Sequence, residues 1–277
     1  MGKTLIMAAV NGGRRTKADH PRLPLTTEET AEAVAACARA GAAMAHVHVR
    51  DEAGRHVLDA AGYTQLFGRI GELAGADFLV QATTEALGRY TPEAQIDLIK
   101  TLRPAAVSIA VSELLPDPTE DAARARFRDL CRWMQAHGVW PQFILYKPDE
   151  VEVLLRLHAD GDIPFAEPFL LFVLGRYRDG QIATPDDLPP FLDALGGAPA
   201  TWMICAFGPR EHACAQAAIA AGGHLRIGFE NNFVMPDGSV AESNADLVAL
   251  ASEAARNSGR GVMTPADAAS LRARLLR

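Results

Sequence analysis

Apolar positions along this chain fall into two alternating kinds of run. Short and nearly continuous apolar stretches, rich in β-branched residues, occupy residues 4–10, 44–50, 77–84, 105–111, 141–146, 169–175, 200–208 and 224–230. Longer stretches follow them, with apolar positions recurring every three to four residues, at 30–41, 62–75, 92–102, 120–138, 148–161, 189–197, 210–223 and 244–259. The first kind predicts strands and the second helices. Strands that are apolar throughout are buried on both faces, as in a parallel sheet covered by helices. Eight strand–helix units within 277 residues predict an α/β fold closed into a (β/α)8 TIM barrel. The alternative is an open doubly wound sheet, which normally carries a glycine-rich phosphate turn after its first strand. The turn here is NGGRRT (11–16), which is not G-x-G-x-x-G. The whole chain, 1–277, reads as one barrel domain with an extra helix at 265–277.

Helix starts are marked in the same way. Thr26 and Glu29 are spaced as a capping box. Thr91-Pro92, Thr184-Pro185 and Thr264-Pro265 each set a hydroxyl cap before a proline, whose missing N–H costs nothing at the first helical position.

Composition narrows the class of partner. A net charge of −7 with no basic run argues against nucleic acid. No apolar stretch approaches the roughly 20 residues of a membrane span, and the N-terminal apolar run reads as a strand and not as a leader. Cys37, Cys131, Cys205 and Cys214 are scattered, with no C-x-x-C pair. Three of them fall in helical patterns as small buried hydrophobes, which suits a reducing, cytoplasmic setting.

The candidate chemistry sits where the second predicted strand ends. His46 and His48 are two residues apart, so in a strand both imidazoles share one face. A lone H-x-H is more often not a metal site. Here, however, it falls at the C-terminal end of a barrel strand, where these barrels gather their active sites. Glu230, read as the end of the eighth strand, approaches the pair across the first strand once the barrel closes. Two histidines and a carboxylate leave a coordination position open, as in catalytic zinc sites. Iron or manganese would accept the same ligands. Arg226 precedes Glu230 by an even spacing and is expected to face inward. On its own, such an arginine serves equally to balance barrel carboxylates.

These stretches, taken together, resemble the β-keto acid cleavage enzymes, the family typified by 3-keto-5-aminohexanoate cleavage enzyme. The likeness runs through AAVNGG (8–13), LPLTTEE (23–29), AGAAMAHVHVRDEAG (40–54), FVLG (172–175), TW (201–202), GGHLRIGFENN (222–232) and AESNADLV (241–248). The resemblance implies a bound Zn2+ held by His46, His48 and Glu230. It also implies a reaction in which a β-keto acid and the co-substrate acetyl-CoA yield acetoacetate and a new acyl-CoA, carried out by a homotetramer. It places Arg226 beside the substrate, taking part in proton removal and acyl transfer, and makes Thr83, Ser108 and Asn231 the accompanying catalytic positions. Arg14, Asn11 and Glu85 become the expected substrate-binding residues.

Several positions depart from the family pattern. Asn231 stands where the typical member has an aspartate that tunes the arginine, and Glu85 is a substitute proton acceptor or else a solvated loop carboxylate. Ala82 stands for a serine, with Thr83 or Thr84 as the replacement hydroxyl. Ser108 keeps a hydroxyl, but Ala110 loses an amide, and Gln142 and Ile144 occupy a strand that normally carries inward glutamates. Arg14 replaces a glutamate that pairs with a substrate amino group. That predicts an anionic or strongly polar tail, unless the arginine belongs to a solvated basic loop or binds the phosphates of CoA. Two other functions compete. An amidohydrolase-type metal hydrolase also uses H-x-H, but on its first strand and with further strand-end histidines, whereas His56 and His158 here fall in a loop and a helix. A non-catalytic divergent relative would fit Ala82 and Asn231.

Overall fold

All eight apolar runs become parallel strands of one closed barrel in a computed structural model that describes residues 2–175 and 182–277. The strands are β1 (Ile6–Ala9), β2 (Met44–Val47), β3 (Leu79–Thr83), β4 (Ala106–Ala110), β5 (Trp140–Leu145), β6 (Phe169–Leu174), β7 (Thr201–Ala206) and β8 (His224–Ile227). Each pairs with its neighbour in sequence, and β8 closes on β1 through Met7 and Arg226. The α-helices are α1 (Thr27–Ala40), α2 (Ala60–Ala74), α3 (Pro92–Leu102), α4 (Val111–Leu114), α5 (Asp121–Ala136), α6 (Pro148–Ala159), α7 (Pro189–Leu195), α8 (Glu211–Ala220), α9 (Asn244–Asn257) and α10 (Pro265–Leu275). The open-sheet alternative is excluded by the closure.

The caps are largely as the sequence implies. Thr26 accepts from the Glu29 N–H while Glu29 returns the bond, and Thr264 and Asp267 do the same for α10. Thr184-Pro185 instead opens a 3-10 turn, Pro185–Asp187, ahead of α7. No described helix is long and apolar enough to cross a membrane. The four cysteines are free and buried.

Alternation along each strand divides the interior into two packed regions. Val47, Val80, Val107, Phe143 and Leu225 point outward and join the helices in one core. Met7, Met44, Trp140, Phe169 and Met203 point inward and fill the lower barrel, where the Trp140 and Phe169 rings stack at 4.5 Å. Helix α10 closes that end. Its Ala268, Leu271 and Leu275 pack into the same inner cluster, and Arg272 donates to the carbonyl of Ala105. Truncating a ring such as Trp140 to Ala would cost about 3–5 kcal/mol. With the lower end plugged, the space that remains inside the barrel is at the C-terminal ends of the strands.

Candidate active site

That space is a cavity of about 580 Å³, and His46, His48 and Glu230 lie among its lining residues. All three are buried, and one ligand atom from each lies within 4.8 Å of the others. The two Nε2 atoms are 3.0 Å apart, and Glu230 approaches them at 3.4 Å and 3.6 Å. Bonds of 2.0–2.1 Å to a tetrahedral zinc space its ligand atoms roughly 3.3 Å apart, so the cluster fits one small divalent ion. The tautomer fits as well. His46 Nδ1 lies 2.7 Å from Gln81 Oε1, an acceptor, so the proton is on Nδ1 and Nε2 presents its lone pair. Burial lowers the His46 pKa to about 4 and that of His48 well below the ordinary value, which keeps both rings neutral as ligands must be. For Glu230, burial works to raise the pKa. Arg226, then the two imidazoles, outweigh it and hold the carboxyl well below the usual range.

The way Glu230 reaches the pair differs from the expectation. β8 ends at Ile227, and Glu230 lies in the turn that follows. Gly228 makes that turn possible with φ +142; a Cβ there would sit 2.5 Å from the Ala9 carbonyl oxygen. Glu230 and Arg226 therefore meet through the turn, not through strand alternation, with Arg226 Nη2 3.3 Å from Glu230 Oε1. Likewise β2 ends at Val47, and His48 is held just beyond it. Asn11 does this: its Oδ1 accepts from the His48 N–H at 3.1 Å and its Nδ2 donates to the His48 carbonyl at 2.9 Å. Asn11 is fully buried and is not among the residues lining the cavity.

Thr83, Ser108, Glu85, Arg14 and Arg226 all line the cavity. Thr83 Oγ1 accepts from the Glu85 N–H at 3.1 Å, and Thr84 Oγ1 donates to the Ser108 carbonyl at 3.0 Å. Ser108 Oγ is buried and has no hydrogen-bond partner. Ala82 faces the helix layer, so the serine missing there removes nothing from the cavity wall. Arg14 Nε lies 3.6 Å from Glu85 Oε1, and burial raises the Glu85 carboxyl to about 7. Asn231 is turned away from the cavity; its Nδ2 donates to the Arg226 carbonyl at 2.9 Å and to Glu211 Oε1 at 3.2 Å. Ala110 and Ile144 form part of an apolar wall with Val173 and Phe207. Gln142 lies one hydrogen bond from Gln81, whose Nε2 donates to Gln142 Oε1 at 3.3 Å.

Five contributors escaped the sequence reading. Gln81 orients His46, and its signal was a polar residue inside an otherwise apolar strand. Glu113 reaches the cavity from α4, a helix of one turn that is too short to show a period. Tyr146 and Lys147 line the cavity just past β5, a position that the strand-end rule alone would have flagged. Glu211 is buried at the start of α8, where an acid is ordinary in sequence and so drew no notice. Neither His56 nor His158 joins the ligand cluster among the described residues, although His56 packs edge-on against His48.

Comparison with known proteins identifies a family. A family model described as beta-keto acid cleavage enzyme matches residues 3–274. The 3-keto-5-aminohexanoate cleavage enzyme of Acetoanaerobium sticklandii is 29% identical over 270 residues, 97% of this chain and 97% of that protein. The 3-oxoadipate:acetyl-CoA acetyltransferase of Cupriavidus necator is 26% identical over 270 residues, 96% and 93% of the two chains. Among solved structures, a binary complex of ObcA with oxaloacetate superposes with a TM-score of 0.72 at 15% identity, over 91% of this chain and 67% of that one, which bears on the fold alone.

Proposed function

The chain belongs to the β-keto acid cleavage enzyme family, and from that premise we propose that it is a metal-dependent acyltransferase converting a β-keto acid and acetyl-CoA into acetoacetate and a new acyl-CoA. The observation that carries this is the convergence of His46, His48 and Glu230 at the base of a cavity that also holds the buried Arg226. Relatives named as keto-acid transferases or cleavage enzymes over nearly the full chain support it. We assign the ion as zinc, with iron and manganese separable by elemental analysis, and the assembly as a homotetramer, read by sedimentation.

His46, His48 and Glu230 would hold a divalent ion, which would supply Lewis acidity toward the keto acid. In the reaction the α-carbon of the keto acid loses a proton and attacks the acetyl carbonyl, and the acetyl–sulfur bond breaks. The freed CoA thiolate then adds to the original keto carbon. The bond from that carbon to the α-carbon breaks, and the α-carbon takes up a proton to become acetoacetate. Negative charge passes through enolate-like and oxyanion stages, and the fixed guanidinium of Arg226 faces it without solvent reorganisation. Ser108 and Thr83 provide hydroxyl donors on the adjoining strands, β4 and β3. Asn11 acts behind the site by fixing the His48 backbone. Arg14, at the cavity rim, draws a substrate tail bearing an acidic group, with Glu85 beside it.

Purified protein incubated with acetyl-CoA and a panel of β-keto acids, followed by acyl-CoA mass spectrometry, tests the proposal. The expected result is a new acyl-CoA with equimolar acetoacetate, best with an acidic tail. Hydrolysis that ignores acetyl-CoA would move the protein to the metal-hydrolase class, and silence across the panel would leave a non-catalytic relative.

A further inference from the structure

Glu211 is a carboxylic acid at the first residue of α8, only 2% exposed. First-turn acids normally stay at the surface, where they meet the helix dipole at no desolvation cost; Glu93 of α3 is one such residue. Burying a carboxylate is costly unless hydrogen bonds compensate. The compensation comes from one short segment. Glu211 Oε1 accepts from the Gly228 N–H at 3.4 Å and from Asn231 Nδ2 at 3.2 Å, and Oε2 accepts from Asn232 Nδ2 at 3.4 Å. All three donors belong to the turn that carries Glu230.

The two amides extend the tie. Asn231 Nδ2 also donates to the Arg226 carbonyl at 2.9 Å, and Asn232 Nδ2 to the Val234 carbonyl at 2.7 Å. On the opposite side the turn is gripped by β1 and α9. The Glu230 N–H donates to the Ala9 carbonyl at 3.1 Å, and the Phe229 N–H to Asn244 Oδ1 at 2.8 Å. Arg15 adds a bond from Nη2 to the Asn231 carbonyl at 3.1 Å. The turn is thus clamped between two walls, and Glu211 is the buried acid of the α8 wall.

We infer that Glu211 is a positioning residue: its carboxyl group holds residues 228–232 so that the Glu230 side chain meets His46 and His48 at ligand distance. The inference rests on the metal-site reading above. Its readout is metal affinity, because support for a ligand through its neighbours is typically worth about 10–100-fold in binding.

The test is chelator competition for zinc on wild type, Glu211→Gln and Glu211→Asp, each with circular dichroism and a thermal melt. Gln keeps the size but sets an amide NH2 against the Asn donors, and is expected to bind zinc about 10–100-fold more weakly while keeping its secondary structure. Asp restores the carboxyl group and part of the affinity. If the Gln chain fails to fold, Asn232→Ala removes one of the three donors to Glu211, together with the bonds of Asn232 to Val234, and is expected to lose affinity several-fold. Zinc affinity within twofold of wild type in the folded Gln variant, or unchanged in Asn232→Ala, overturns the inference even if the melt is lowered. A wild type that binds no zinc overturns the metal reading itself, so the two failures are distinct.

Discussion

Around β8, β1 and β2, the functional side chains at the barrel mouth are each held by another polar group: His46 by Gln81, the His48 backbone by Asn11, Glu230 by Arg226. Across β4 to β7 the mouth is built otherwise. Ala110, Ile144, Val173 and Phe207 form an apolar wall, and beside it Ser108 Oγ has no hydrogen-bond partner among the described residues. A polar network cross-linked between strands has few low-energy arrangements even where a single atom such as His48 Nδ1 stays unpaired, whereas a hydroxyl set in an apolar surface has only an incoming group to bond. The difference assigns the first arc to holding the reacting end of the substrate in fixed geometry. The second arc receives the rest.

Breaking the first arc should have the largest effect. Alanine at His46, His48 or Glu230 is expected to remove stoichiometric metal and to lower turnover by about 10³-fold or more, since Lewis-acid stabilisation is worth several kcal/mol. Elemental analysis beside acyl-CoA mass spectrometry reads both. Full metal content in any of the three variants would dissolve the contrast between the arcs. Arg226→Gln comes next. It takes a fixed charge from the reacting centre but keeps all three ligand side chains, so at saturating metal kcat should fall about 10²–10³-fold, with metal affinity lowered less than in the ligand variants because Glu230 loses its partner. A rise in KM alone would make Arg226 a binding group only.

The two arcs were unequally legible in the sequence. The eight strands were readable because each is an apolar run, and His46, His48 and Arg226 were readable because strand ends in a barrel have a fixed address. The supporting groups were not. Gln81 went unread and Asn11 was read as a substrate contact, because both act through hydrogen bonds to partners 35 and 37 residues away, which no local period encodes. Glu230 was found for a reason the structure replaced, since a glycine-dependent turn delivers it. Asn231 was read as a catalytic position, yet its amide faces Glu211 and the Arg226 backbone. Glu113 was missed because the four-residue α4 carries too few positions to reveal a face.

Arg14 sharpens the boundary between the arcs. It stands at the rim beside Glu85, with its side chain about half exposed at 53%. Arg14→Glu is expected to raise KM for acid-tailed keto acids about tenfold, the scale of one charge-assisted contact, and to leave neutral-tailed ones nearly unchanged. Equal effects on both tail classes would mean that Arg14 meets the CoA moiety common to all reactions.

The smallest effect is also the most discriminating, because two measurements should move in opposite directions. Ser108 Oγ is buried and unpaired in the protein alone, so the chain bears an uncompensated polar group there. Ser108→Ala removes it and nothing else. If the hydroxyl awaits substrate, the variant should be as stable as wild type or more so, by up to about 1 kcal/mol, while kcat falls about 3–10-fold for the loss of one hydrogen bond. If instead the hydroxyl serves the fold, stability should drop and kcat per folded molecule should hold. A thermal melt and a single kinetic series on the same preparation decide between them, and the second outcome would erase the distinction drawn between a cross-linked arc and a waiting one.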